Sequence, residues 1–408
     1  GPEAPRPIGR GPVGRGDIVR DGAGPMRIAL YGHFMFQLAA GLRENTEHEV
    51  HLFLDSETIP TCLRDEPLLG DPSFATSAPW VGRREIFRPG DAEITRRLAD
   101  HDVAIVTDLG PIFAERSGTP YVFFPAGWDL THAPFPIRAR STRRRGRADV
   151  VDTLIGIRQR RGIRGATSIW GPAFTPFRSA TKRLGVSLGD CLPQAIDTDL
   201  FRPGASTVST ASSVTVFHPA RLMFFPDPFI IETGGWKRND LLLHGFALAV
   251  ESGFDGRLLL VEREGSLDED LARRLLGELG ITNRVDWLGT GTGVEFSWRE
   301  VAEVYRSSDI SSDDFGGWFG LAALEGASSG RPVLNYLEPG VMESEYPGGH
   351  PFVQTPDAEA VRSALLDLAD PDRRAALGRA SRDWVLKHHD RGVVARRCER
   401  MLGEIGLA

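Results

Sequence analysis

The sequence has few cysteines and no long apolar run. Its three cysteines, Cys62, Cys191 and Cys398, lie far apart in the 408-residue chain and have no metal-ligand spacing. They fit a reducing cytosol and predict no disulfide framework. No run approaches the roughly 20 apolar residues of a membrane-spanning helix, and no signal-peptide core follows the N-terminus. We therefore expect a cytoplasmic protein.

The chain also lacks an excess of basic residues. Its 48 Lys and Arg are outnumbered by 55 Asp and Glu, which gives a formal net charge of −7. This balance argues against a general nucleic-acid binder. With 41% hydrophobic residues, a chain of this length can bury two cores, so the composition predicts two domains.

The N-terminal segment lacks apolar periodicity. Residues 1–25 are rich in Gly, Pro and Arg, and Gly1 and Pro2 are typical of a scar left by protease cleavage. We interpret this segment as a disordered, tag-derived lead and expect the folded chain to start at Met26.

Short apolar runs alternate with segments of helical spacing in both halves of the remaining chain. A Ser-, Thr-, Gly- and Ala-rich stretch at 204–213 separates the halves, as a linker would, and residues 59–88 are predicted to be irregular. The alternation predicts a parallel, doubly wound sheet in each half. The predicted strands are 27–31, 49–54, 103–106, 121–124, 166–170, 214–217, 258–261, 285–288 and 309–311. The predicted helices are 34–43, 92–98, 240–250, 267–279, 298–307, 358–368, 372–386 and 391–405.

The block at 313–333, DDFGGWFGLAALEGASSGRPV, is the most informative part of the sequence. It predicts a strand end, a glycine-rich turn, a short helix and a turn into a second strand. Such a turn presents backbone N–H groups at a helix N-terminus, where an anion can bind. Glu325 on this helix can accept hydrogen bonds from a diol such as a ribose. The simpler interpretation is that Glu325 is an ordinary charged helix residue.

This block resembles the donor-binding signature of retaining glycosyltransferases of family 4, usually E-x-F-G-L-x-x-L-E-A-x-A-x-G-x-P-V. Gly317 stands where the family has its first Glu. The residues that match the signature are Phe319, Gly320, Leu321, Leu324, Glu325, Gly330, Pro332 and Val333. Residues 192–203, 217–246, 284–289 and 301–309 resemble further elements of the same family, in the same order.

The resemblance implies an α/β protein of the GT-B type, in which two facing Rossmann-like domains with parallel sheets enclose an interdomain cleft. Residues 26–205 would bind the acceptor, and residues 206–211 would form the linker. Residues 212–385 would bind the nucleotide sugar, and residues 386–408 would contain a helix that crosses back. The implied reaction moves a hexosyl unit from a UDP- or GDP-type donor to a hydroxyl acceptor with retention. It needs neither a metal nor a cofactor.

Residues that stabilise the leaving diphosphate are expected in the second half. Without a metal, fixed cations have to neutralise this charge, and the resemblance assigns that role to Arg221 and Lys237. Residues 222–236 intervene between them, so Arg238 is an alternative to Arg221. The simpler alternative is that all three are solvated loop cations.

Backbone and acidic groups of the same half are expected to hold the donor. Asp314 is predicted to replace the acid missing at Gly317, Asp313 being an equal candidate, although both can instead cap the turn. The N–H groups expected to face the phosphate or the sugar belong to Phe319, Gly320 and Leu321.

Acceptor-side residues are expected at strand ends of the first half. Gly32 and His33 take the place of the family's glycine-rich acceptor loop, although His33 can equally be a core or surface histidine. Asp129 matches the last residue of an H-G-x-D turn and either binds a substrate or caps the next helix. Ala126 replaces the His of that turn, and His132 is a candidate substitute. The resemblance implies a front-face route in which the leaving phosphate takes the acceptor's proton, so we name no nucleophile.

Several alternatives remain open at this stage. The basic run at 138–147 is either a solvated loop or a contact for an anionic acceptor or a negative lipid surface. The acceptor itself can be a small molecule, a glycan or a lipid-linked compound, and peripheral membrane contact is an alternative to a purely cytoplasmic location. The rival functions are a sugar-nucleotide-binding protein without catalysis and an epimerase or phosphorylase on the same scaffold. A dehydrogenase is disfavoured, because no G-x-G-x-x-G turn follows the first strand.

Overall fold

The structure is a computed structural model that describes residues 24–55, 59–77, 82–135, 147–204, 213–232, 234–263, 267–289 and 296–407. Nearly all of the predicted lead at 1–25 lies outside the described residues. So do the predicted linker at 206–211 and the basic run up to residue 146. The predicted domain boundaries stay predictions.

The first half forms a six-stranded parallel sheet in the order β3-β2-β1-β4-β5-β6. Its strands are β1 Arg27–Tyr31, β2 Glu49–Leu54, β3 Ala75–Ser77, β4 Val103–Val106, β5 Tyr121–Phe123 and β6 Ser168–Ile169. Its helices are α1 Phe36–Asn45, α2 Arg83–Phe87, α3 Glu93–Ala99, α4 Gly110–Ser117, α5 Trp128–Thr131, α6 Arg147–Gly165 and α7 Thr175–Leu184. The central strands are buried on both faces, which explains why they read as continuous apolar runs.

The second half forms another six-stranded parallel sheet, in the order β12-β11-β10-β7-β8-β9. Its strands are β7 Val214–His218, β8 Gly256–Val261, β9 Val285–Leu288, β10 Ile310–Ser312, β11 Val333–Asn335 and β12 Val353–Gln354. The helices before β11 are α8 Pro228–Glu232, α9 Asp240–Glu251, α10 Leu267–Glu278, α11 Trp298–Ser307 and α12 Leu321–Ser328. The later helices are α13 Val341–Glu345, α14 Ala358–Asp367, α15 Pro371–His388 and α16 Arg391–Glu404.

The two parallel sheets confirm the fold class that the alternation predicted. The region 59–88 differs from the prediction, because it contains β3 and α2 instead of being irregular throughout. A three-residue edge strand and a five-residue helix are too short to show a hydrophobic period. The strand predicted at 166–170 also shortens to β6.

The last helix returns to the first half. Val394, Cys398 and Leu402 of α16 share a core with Leu38 and Leu42 of α1. The approach is close: a Cβ at Gly41 would lie 2.4 Å from the carbonyl oxygen of Arg391. Glycine at this position therefore allows the two helices to pack.

Strand order places the carboxyl ends of both sheets where a ligand can bind. In the first sheet, successive strands are added on one side of β1 up to β3 and then on its other side from β4 onward. The same switch in strand order lies between β7 and β10 in the second sheet. In open α/β sheets, ligands bind in the crevice outside the strand ends at such a switch point. Within the part of the chain described above, no helix is long and apolar enough to cross a bilayer.

Candidate functional site

A cavity of about 660 Å³ lies between the two halves, at the carboxyl ends of their strands. Its volume is typical of a small-molecule site. From the first half it is lined by Phe34, Phe124, Pro125, Ala126, Gly127, Trp128, Thr131, His132, Trp170, Pro172, Phe174, Phe177, Cys191, Leu192, Pro193 and Gln194. From the second half it is lined by Met223, Ile230, Gly234, Gly235, Lys237, Asp314, Gly316, Trp318, Phe319, Gly320, Tyr346 and His389.

The cavity brings together part of the predicted site. The predicted residues that line it are His132, Lys237, Asp314, Phe319 and Gly320. The described lining does not include the predicted residues Gly32, His33, Asp129, Arg221, Arg238, Leu321 and Glu325. The roles of all twelve stay predictions, and their surroundings show which of them can meet a ligand directly.

Lys237 is held at the cleft by its own backbone. Its N–H donates to the carbonyl of Met223 at 2.8 Å, and its carbonyl accepts from the N–H of Phe315 at 2.8 Å. The ammonium nitrogen lies 3.5 Å from Oδ2 of Asp314, and both side chains are only partly exposed. A cation fixed in this way by backbone and carboxylate can meet a phosphate without reorganisation.

A series of buried hydrogen bonds near Lys237 was not predicted from the sequence. His218 Nδ1 lies 2.9 Å from Ser312 Oγ, and Asn239 Nδ2 lies 2.9 Å from His218 Nε2. Asn239 Oδ1 accepts from the N–H of Met223 at 2.8 Å. Burial lowers the pKa of His218 to about 3, so the imidazole stays neutral. These hydrogen bonds link β7 and β10 to the loop that carries Lys237. The sequence feature that could have indicated them is a polar residue at the end of each of these two apolar strands.

The two predicted arginines are outside the cavity lining, unlike Lys237. Arg221 is exposed just after β7. Arg238 has a φ of +51°, and its guanidinium carbon lies 5.4 Å from the ring centroid of Trp236. The roles of both arginines toward a diphosphate stay predictions.

Glu325 is buried on α12 and contacts a tyrosine. Its Oε2 lies 3.2 Å from Oη of Tyr305, which also donates to the carbonyl of Ala322 at 2.9 Å. Burial raises the pKa of Glu325 to about 7. A hydroxyl has only one hydrogen, so a protonated Glu325 can donate to Tyr305 while Tyr305 donates to Ala322. The predicted contact with a ribose stays a prediction.

One backbone N–H assigned to the phosphate has a partner within the protein. Gly320 donates to Oδ2 of Asp313 at 2.5 Å, and Asp313 is 1% exposed. Burial raises the pKa of Asp313, and the neighbouring charge of Asp314 raises it further. Asp313 therefore orders the turn before α12, while Asp314 contacts the cation at the cleft.

The backbone at Gly317 does not suit the Glu of the family 4 pattern. Its φ is +114°, a conformation that L side chains rarely adopt, and its carbonyl accepts from the N–H of Glu338 at 2.7 Å. The loop that carries this position is thus built around a glycine. A Glu here would need a different backbone path.

Asp129 is surrounded by backbone donors. Its two carboxylate oxygens accept from the N–H groups of Asp108, Ala126, Gly127 and Leu130 at 2.8 to 3.0 Å. It is 0% exposed. This arrangement favours the capping alternative that the sequence left open, in which Asp129 shapes the turn before α5 instead of touching a substrate.

His33 belongs to a cluster at the carboxyl ends of β1, β2 and β4. His33 Nδ1 lies 3.0 Å from Asp55 Oδ1, and Asp108 completes a group whose potential metal-ligating atoms lie within 4.8 Å of one another. Burial raises the pKa of Asp108 to about 7. Gly32 has a φ of +107°, and a Cβ there would lie 2.3 Å from Cγ2 of Thr107. Gly32 is therefore required by the packing of the β1 turn.

Contacts across the cleft were missed by the sequence reasoning. Glu338 accepts from the N–H and the hydroxyl of Thr175 at 2.8 Å each, and from Arg178 at 2.6 Å. The rings of Phe174 and Trp318 are stacked, with centroids 6.0 Å apart and planes at 22°. These contacts join α7 of the first half to the glycine-rich turn of the second.

No protein-family model matches the sequence, and no curated protein matches it. Solved structures are similar in fold. HepE from Anabaena, solved in complex with UDP and glucose, is 15% identical in sequence to this protein. The alignment covers 93% of this chain and 99% of HepE, with a TM-score of 0.62. Sucrose-phosphate synthase from Thermosynechococcus elongatus is 15% identical, with 93% and 99% covered and a TM-score of 0.60. A glycosyltransferase from Rickettsia africae is 12% identical, with 93% and 98% covered and a TM-score of 0.59. At this low identity the likeness shows the fold alone: the chain has the GT-B fold of glycosyltransferases.

Proposed function

We propose that this protein is a retaining glycosyltransferase related to family 4. It would move a hexosyl unit from a UDP- or GDP-type donor to a hydroxyl acceptor. The observation that carries the proposal is the cavity between the carboxyl ends of two parallel sheets, where Lys237 stands beside the signature turn at Asp314. HepE, a protein of similar fold, was solved with UDP and glucose, which supports a nucleotide-sugar donor here.

Lys237 carries the main electrostatic role in this proposal. When the sugar–phosphate bond breaks, negative charge grows on the diphosphate, and a fixed ammonium stabilises it. Asp314, 3.5 Å from Nζ, holds that ammonium at the cleft. Arg221 or Arg238 would supply a second cation to the diphosphate.

The proposed reaction forms one bond and breaks another without a nucleophile from the protein. The acceptor oxygen forms a bond to the anomeric carbon, and the bond from that carbon to the phosphate oxygen breaks. The acceptor's proton leaves with the diphosphate. Closure of the two halves around the cavity excludes water and aligns the donor with the acceptor.

Calorimetric titration of UDP, GDP and TDP tests the donor site. We expect one of them to bind and Lys237→Met to weaken it about tenfold or more, since a hydrogen bond to a charged group contributes about 1.5–3 kcal/mol. Lys387→Met is the matched control, because Lys387 is an exposed lysine of α15 outside the cavity lining. Equal losses in both variants, or no nucleotide binding at all, would contradict the proposal. The anomeric coupling of the product, measured by NMR, tests retention.

A non-catalytic sugar-nucleotide-binding protein is the second candidate. Gly317 and Ala126 occupy positions where the family pattern has a Glu and a His, so two polar groups are missing. This candidate predicts nucleotide binding without donor consumption, including slow hydrolysis. A coupled assay for released nucleoside diphosphate separates the two candidates.

A further inference from the structure

Aromatic rings with exposed faces gather in the cavity, mostly on its first-half wall. Phe34 is 49% exposed and Trp128 is 46% exposed, and both line the cavity. Phe174 and Trp318 are partly exposed in the same lining. Large apolar side chains that converge on one concave surface mark a binding site for an apolar ligand.

Two of these rings are fixed from behind by polar groups. The indole N–H of Trp128 donates to Oδ1 of Asp108 at 3.1 Å, so its polar edge is satisfied. The ring centroids of Phe34 and His33 are 4.0 Å apart. His33 is held in turn by Asp55, whose Oδ1 lies 3.0 Å from its Nδ1. The cluster of His33, Asp55 and Asp108 thus orients the apolar faces. Rings held in this way lose little entropy when a ligand stacks on them.

The polar groups of the same wall are few. Among its described residues, the first-half lining has no Asp, Glu, Lys or Arg. The hydroxyl of Thr131 already donates to the carbonyl of Gly127 at 3.0 Å. The side-chain oxygen of Gln194 is buried and has no hydrogen-bond partner among the described residues. His132 is a further polar side chain of this wall. Gln194 and His132 can bond to one or two hydroxyls but cannot satisfy the many hydroxyls of a glycan.

We infer that the acceptor is a flat aromatic hydroxy compound that stacks on the wall formed by Phe34 and Trp128. Its hydroxyl points toward the donor half of the cavity, where Lys237 and Asp314 lie. The inference names the acceptor class of the proposed transferase and rests on that proposed function. A protein with such an acceptor differs in acceptor class from transferases whose acceptors are sugars.

Binding of umbelliferone, a flat hydroxylated aromatic probe, tests the inference by fluorescence anisotropy. We expect saturable binding to the wild-type protein, and a loss of about tenfold in Trp128→Ala, the size of one aromatic stacking contact. Trp128→Phe keeps a ring and should retain most of the affinity. Phe87→Ala is the matched control, because Phe87 is 48% exposed on α2 and does not line the cavity. It should bind the probe as the wild type does.

The competing acceptor class and the donor are measured in the same series. Maltose should fail to displace umbelliferone, and Trp128→Ala should keep the wild-type affinity for UDP. Absent umbelliferone binding, displacement by maltose, or unchanged probe affinity in Trp128→Ala would each overturn the inference. If the probe binds as expected but no nucleotide binds to the wild-type protein, the aromatic site stands and the proposed transferase function fails.

Discussion

Glu338 joins the two halves of the molecule, and Glu338→Ala should loosen the cleft. Its carboxylate receives the N–H and hydroxyl of Thr175 and the guanidinium of Arg178. Thr175 begins α7, where unpaired N–H groups and the helix dipole favour an anion. Burial acts to raise the pKa of Glu338, but the Thr175 and Arg178 donors outweigh it and hold that pKa below its usual range.

The size of the effect follows from the exposure of the partners. The Glu338 side chain is 23% exposed and that of Arg178 is 52% exposed, so the ion pair alone contributes about 0–1 kcal/mol. The hydrogen bonds from Thr175 to a charged acceptor at a helix N-terminus contribute about 1.5 kcal/mol more. We therefore expect Glu338→Ala to lower the free energy of unfolding by about 2 kcal/mol.

Urea unfolding of Glu338→Ala, Arg178→Ala and the double variant measures the coupling between the two side chains. Glu303→Ala is the control, because Glu303 pairs with Arg306 within α11 and its side chain is 74% exposed. That variant should lose less than about 0.5 kcal/mol. Small-angle scattering should show a larger radius of gyration for Glu338→Ala. The reasoning is refuted if Glu338→Ala costs no more than Glu303→Ala and the radius stays that of the wild type.

The contribution of Glu338 also has a defined pH dependence. A carboxyl whose pKa is lower in the folded protein stabilises the fold above its unfolded pKa and loses that effect as the pH falls through its folded pKa. The stability gap between the wild type and Glu338→Gln should therefore be largest near neutral pH and shrink below about pH 4. A gap that widened in acid would have the wrong sign for this explanation.

Three other substitutions address the turns of the site. Glu325→Gln should leave the fold intact and weaken nucleotide binding about tenfold, because an amide accepts hydrogen bonds from a diol less well than a carboxylate does. An unchanged affinity, measured by calorimetry, would contradict the predicted contact between Glu325 and the ribose. Since burial raises the pKa of Glu325 to about 7, wild-type affinity should increase from about pH 6 to about pH 8, while that of the variant stays flat. Gly317→Glu should lower the melting temperature through about 1–2 kcal/mol of backbone strain at a φ of +114°. Gly32→Ala should cost about 2 kcal/mol or more by urea unfolding, because its Cβ would lie 2.3 Å from Thr107; a neutral effect would show that the β1 turn has space.

Elements with strong local patterns could be predicted from the sequence. The bounds of β1, β4 and α11 match their predicted ranges, because a buried parallel strand is a nearly continuous apolar run and a surface helix shows a clear 3.6-residue period. The glycine-rich block at 313–333 directly follows β10 and contains the predicted turn, the predicted helix as α12 and the first residue of β11. The turn residues and the apolar spacing act over a few positions, so they are visible in the chain itself.

Contacts between residues that are distant in the sequence could not be predicted in this way. Thr175 and Glu338 are separated by 163 positions, and no local pattern pairs them. The N–H groups that surround the Asp129 carboxylate favour capping over substrate contact, and they were not visible in the sequence either. The sequence by itself determined two parallel sheets and a glycine-rich turn before a helix, through short-range periodicity and glycine geometry. Only the tertiary structure decided which side chains face the cavity, because that depends on how loops from the two sheets meet across the cleft.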